Sequence, residues 1–87
     1  MVDHIENTAK FEAKETAVTE VSQVLRKVFQ ALLENGYDPV DQLVGYLISG
    51  DPAYITSQSE ARVLIRRLER DLILEELVRK YFEREEL

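Results

Sequence analysis

The sequence contains no cysteine, which excludes a disulfide framework and thiolate metal sites. It has a single histidine, His4, close to the start, so imidazole has almost no part in any acid–base or metal chemistry. No apolar run approaches the roughly 20 residues that cross a bilayer. The opening "MVDHIENTAK" lacks the basic-then-apolar layout of a secretion signal. These absences together predict a cytoplasmic protein with no membrane contact and no cofactor. There is no internal repeat and no low-complexity segment. Positive charge is also scarce: 11 Lys and Arg stand against 17 Asp and Glu, a net charge of −6. That balance opposes general affinity for nucleic acid, which depends on neutralising phosphates, and for anionic lipid surfaces.

What remains is a chain of 87 residues, 45% of them apolar. That is one small domain with a thin core, of the kind that gains stability by self-association. Residues 1–14 show no sustained period and read as a tail; residues 15–87 read as a single helical domain. Helical spacing begins at residue 16. Val18, Val21, Val24, Leu25, Val28, Phe29, Ala31, Leu32 and Leu33 cover roughly 200° of a helix circumference, wider than the ~100° stripe of an ordinary surface helix. Such a stripe needs partners on more than one side. Val21, Val24, Leu25, Val28, Phe29 and Leu32 are therefore the expected dimer contacts. "ENG" ends this helix. Asp38 and Pro39 open a second, whose apolar face is Val40, Leu43, Val44, Leu47 and Ile48. Gly45 within it predicts a close helix contact. Ser57 and Glu60 read as a capping box for a third helix. Its apolar residues from Ala61 to Leu72 share one face, whereas Leu74, Leu77, Val78, Tyr81 and Phe82 lie nearly opposite. Either the helix breaks near Glu69–Asp71 or it runs on to bridge two bodies in an intertwined dimer. Basic residues before the join and acidic ones after it favour the break. The expected fold is all-α, a small bundle of three to four helices forming an intertwined homodimer.

Candidate chemistry is sparse. The loop "SGDPAYIT" has one glycine and no lysine after it, so it is turn chemistry and not a phosphate cradle. Tyr54 within it is a candidate partner contact. The carboxylates fall on helix faces among Lys and Arg, with Glu75/Arg79 and Glu76/Lys80 at favourable spacing. No triad, metal-ligand spacing or nucleotide fingerprint is present, which argues against an enzyme. Arg62, Arg66 and Arg70, flanked by Arg67, form a row. It reads as a solvated ion-paired face, as an anion-binding strip suited to phosphate, or as a small nucleic-acid interface. Thr16, Thr19 and Thr56 sit at helix starts, where hydroxyls cap. Thr8 sits in the tail, where a kinase would find it accessible.

The stretches "GYDPVDQLVGYLISGDPAYIT" and "ARVLIRRLERDLILEELVRKYF" closely resemble the IreB family of small regulatory phosphoproteins of Firmicute bacteria, through residues 36–82. The resemblance implies a non-enzymatic, homodimeric regulator. It further implies that the chain is a substrate of a transmembrane Ser/Thr kinase with PASTA repeats, that a cognate phosphatase reverses the modification, and that the pathway concerns cell-envelope stress and antibiotic resistance, through an unidentified downstream protein. One of the family's tail threonines matches Thr8. The other falls three residues earlier, where this chain has Ile5.

Overall fold

The computed structural model describes residues 20–85, with side chains to residue 83. Helix α1 occupies residues 20–34, α2 Pro39–Ser49, α3 Ala61–Arg66 and α4 Arg70–Glu85, with short 3₁₀ turns at Pro52–Tyr54 and Gln58–Glu60. The described residues contain no strand, so the fold is all-α as the spacing predicted.

Helix α1 supplies the largest share of the core. Val21, Val24, Val28, Ala31 and Leu32 are buried, and at 100° per residue they span about 100° of the helix. The 200° stripe is therefore only partly used: Phe29 and Leu33 remain exposed. The helix closes at Gly36, where the amide of Tyr37 donates to the Leu32 carbonyl at 2.9 Å and that of Gly36 to Leu33 at 3.1 Å. This paired closure satisfies carbonyls that a helix end leaves orphaned.

Helix α2 begins as its sequence dictates. Asp38 Oδ1 accepts from the amides of Val40 (3.0 Å) and Asp41 (3.4 Å), and Pro39, which has no N–H to satisfy, is buried at the first turn. Tyr46 is buried, Leu43 and Leu47 pack partly against the core, and Val40, Val44 and Ile48 are exposed. The expected apolar face of α2 thus faces the core with one edge only.

The start of α3 departs from expectation. Ser57 makes no side-chain cap bond, and both Ser59 (φ 55°) and Glu60 (φ 59°) adopt the left-handed conformation. Those two residues place Ser57 outside the first turn, so the Ser57/Glu60 capping box does not form. The helix opens instead at Ala61, which is fully buried with Ile65. It ends at Arg66, where Arg67 and Leu68 donate to the carbonyls of Leu64 and Ile65 in a tightened last turn. The break therefore falls at residues 67–69, slightly ahead of the Glu69–Asp71 expectation. The amides of Leu72 and Ile73 then donate to Glu69, starting α4, with Asp71 in its first turn.

Helix α4 also corrects the face assignment. Ile73 is fully buried in the core cluster and Leu68 nearly so, but Leu72 is exposed. Leu74, Leu77, Val78, Tyr81 and Phe82 are exposed as well, at i, i+3, i+4, i+7 and i+8. The helix docks by the adjacent line carrying Ile73 and Glu76 and leaves its apolar stripe uncovered.

Candidate functional site

The segment joining α2 to α3 is built by side chains reaching across it. Gly50 closes α2 with φ +75°, and Ser49 Oγ donates to the Gly45 carbonyl while accepting from the Asp51 amide at 3.0 Å. Asp51 Oδ1 accepts from the Ala53 amide at 2.9 Å, fixing the 3₁₀ turn that Pro52 opens. From α2, Gln42 Nε2 donates to the Tyr54 carbonyl at 2.8 Å; from α3, Arg62 Nε donates to the Ile55 carbonyl at 2.9 Å. Ile55 is fully buried between those two clamps. From α4, Arg70 Nη1 donates to the Leu47 carbonyl at 3.1 Å, and its guanidinium lies over Gly50, where a side-chain carbon would stand 2.8 Å from Cζ. Arg70 thus ties the end of α2 to the start of α4.

The four arginines consequently do not form one strip. Arg62 lies on α3, Arg66 ends it, Arg67 is in the break and Arg70 begins α4. Arg62 and Arg70 each hold a backbone carbonyl. Arg66 and Arg67 are exposed, and among the described residues neither forms an ion pair with Glu69 or Asp71. Tyr54 lies across Gly45 with one side of its ring and is 40% exposed on the other.

Beside these clamps is a recess of about 260 Å³, bounded chiefly by Asn35, Tyr37, Gln42, Tyr54, Ser57 and Arg62. Sequence reasoning missed it, because its walls come from the turn after α1, from α2, from the α2–α3 segment and from α3, and no spacing rule links Asn35 or Tyr37 to Arg62.

The expected dimer contacts also need correction. Val21, Val24, Val28 and Leu32 belong to the chain's own core and Leu25 packs partly against it; only Phe29 of that set is exposed. Among the described residues the longest uncovered apolar stripe is on α4, with Val40, Val44 and Ile48 of α2 and Phe29 and Leu33 of α1 also exposed. Thr8 lies outside the described residues.

Glu76 was expected on a solvated helix face, and its environment corrects that reading. Only 4% of the residue is exposed, and neither carboxylate oxygen has a hydrogen-bond partner among the described residues. The cation paired with it among the described residues, Lys80, is 4.0 Å away and also lies 3.9 Å from Glu83. The Glu75–Arg79 pair forms as its spacing suggests. The clue to Glu76 was its position three residues after Ile73, on the same docking line. A buried polar group without hydrogen bonds costs on the order of 1–3 kcal/mol. Glu76→Met should therefore stabilise the fold by about 1 kcal/mol, read as a higher urea midpoint with an unchanged slope.

Among the described residues no cluster of His, Cys, Asp or Glu is arranged to hold a metal, and no helix is long and apolar enough to cross a membrane. A family model described as the IreB regulatory phosphoprotein matches residues 6–83. The chain belongs to that family. The match covers almost the whole sequence, including the Tyr54 loop, the recess, both halves of the broken C-terminal segment and Thr8. A regulatory phosphoprotein role follows for this IreB-family chain.

Proposed function

We propose that the protein is a cytoplasmic, non-catalytic regulator switched by phosphorylation at Thr8. The kinase is a transmembrane Ser/Thr kinase bearing PASTA repeats, a cognate phosphatase reverses the modification, and the output concerns cell-envelope stress and antibiotic resistance through a downstream protein. The observation that carries this reading is the family match over residues 6–83, which includes Thr8 and begins just after Ile5. With isoleucine at position 5, the switch relies on one threonine where the family pattern has two.

The acting species is a homodimer. Its support is the exposed apolar stripe of Leu74, Leu77, Val78, Tyr81 and Phe82 on α4, in a domain small enough to benefit from covering it. Nucleic acid is the weaker partner: the net charge is −6, and two of the four arginines already hold carbonyls.

Mass spectrometry of the protein from its native cells, with and without cell-wall stress, tests the proposal. Phosphate on Thr8 that changes with stress is the expected result. An unmodified Thr8 under both conditions overturns it.

A further inference from the structure

The recess beside Arg62 has a composition at odds with the rest of the chain. Acidic residues outnumber basic ones 17 to 11 in the sequence, yet among the described residues no acid lines it. Its one charged wall is Arg62, which is partly buried and in none of the ion pairs among the described residues. The Nε bond to the Ile55 carbonyl holds that guanidinium in place. Its two terminal nitrogens make no hydrogen bond to any described residue, and the other described residues lining the recess are uncharged, among them Asn35, Gln42, Ser57, Tyr37 and Tyr54.

An arginine fixed through Nε presents its remaining N–H groups as a preorganised fork, the geometry that suits phosphate oxygens. Asn35 already donates one amide N–H to the Ala31 carbonyl at 2.7 Å and Gln42 one to the Tyr54 carbonyl at 2.8 Å. Each keeps a second N–H that, with the hydroxyls and a single cation, matches a group with several acceptor oxygens and compact charge. At about 260 Å³ the recess is below the roughly 300–1,000 Å³ of sites that enclose a whole small-molecule ligand. It fits one side chain.

We propose that this recess receives a phosphomonoester carried on a polypeptide side chain, with Arg62 as its principal ligand and Arg66 and Arg67 outside the contact. This deepens the reading of the chain as a phosphorylation-tuned regulator. The phosphate can come from the chain's own Thr8 segment or from a partner protein; the chemistry is the same.

The test supplies the phosphate, so its outcome does not depend on whether Thr8 is modified in cells. The full chain is titrated with a synthetic peptide of its own residues 3–13 phosphorylated at Thr8, with the unphosphorylated peptide, and with an unrelated phosphothreonine peptide. NMR follows arginine Nε–H and Asn/Gln side-chain amide signals. Saturable shifts at Arg62 and Gln42 with the phosphopeptides, absent with the unphosphorylated peptide, are expected. Equal binding of the two phosphopeptides assigns the source to partners; preference for the chain's own sequence assigns it to Thr8. Arg62→Gln should weaken binding about tenfold or more, the equivalent of losing a charge-assisted contact, whereas Arg66→Gln should leave it unchanged. Because Arg62 also clamps Ile55, Ser57→Glu provides a second variant: it places a carboxylate at the rim without touching that clamp and should block binding equally. Shifts centred on Arg66 and Arg67, binding indifferent to both Arg62→Gln and Ser57→Glu, or no saturable shift at all would overturn the proposal.

Discussion

Replacing Ile73 with alanine should cost about 3 kcal/mol of folding stability and free α4 from the rest of the domain. Ile73 is fully buried, and the other large apolar side chains of α4 between Leu72 and Phe82 are all substantially exposed. Truncating a buried isoleucine removes its transfer energy and leaves a cavity, typically 2–5 kcal/mol in all. A small domain has roughly 5–15 kcal/mol to lose, so the effect is large. It should also be local in character, because the other buried residue on the docking line is Glu76, which contributes no hydrogen bond. Amide exchange would show α4 losing protection before α1 and α2 do. Leu77 supplies the contrast. It is 44% exposed, so Leu77→Glu should change the unfolding midpoint little at low concentration. If the α4 stripe joins two copies, the same substitution should shift sedimentation at micromolar concentration from dimer to monomer. A wild-type chain that sediments as a monomer would remove the homodimer from the proposed function.

This contrast shows which parts of the fold were legible in the sequence. Helix ends set by local chemistry could be read directly: Asp38 and Pro39 open α2, and Gly36 and Gly50 close α1 and α2, because each acts within a few residues of itself. The break between α3 and α4 could also be read, from the jump of the apolar face and the change in charge sign. Which apolar surface turns inward could not. Val21 and Leu74 look alike as members of amphipathic stripes, but the first is buried and the second is 45% exposed. Periodicity identifies a stripe, not what covers it. The Ser57/Glu60 capping pattern failed for a related reason. Ala61 is fully buried and Arg62 clamps Ile55, so tertiary packing fixes where α3 begins, and Ser59 and Glu60 adopt left-handed conformations to meet it. The arginine row was visible as a row, yet its members reach carbonyls seven and 23 residues away, distances that no helical wheel contains.

Gly45→Val should destabilise the domain by about 2 kcal/mol, and the reason lies in the Tyr54 loop. Helix propensity alone argues the other way, since an interior glycine costs up to about 1 kcal/mol relative to alanine. The Tyr54 ring lies against Gly45 so closely that an added side-chain carbon would overlap Cε1 and Cδ1 and come within 3.0 Å of Cζ. Either the ring swings out to solvent or the loop moves. Movement of the loop would strain the Gln42–Tyr54 and Arg62–Ile55 clamps, which hold Ile55 in the core. The sequence Asp-Pro-Ala-Tyr therefore has a structural meaning: Asp51 and Pro52 build a single 3₁₀ turn, and that turn delivers Tyr54 onto the one residue of α2 with no side chain. A double-mutant cycle isolates the contact. Tyr54→Ala alone should cost about 1 kcal/mol, the loss of a half-exposed ring's buried area. In that background Gly45→Val should cost little, giving a coupling energy of roughly 1–2 kcal/mol between the two sites. Additive costs would mean that Tyr54 does not rest on Gly45 in solution. Because Tyr54 also borders the recess beside Arg62, Gly45→Val should weaken phosphopeptide binding as well, although Gly45 does not line the recess.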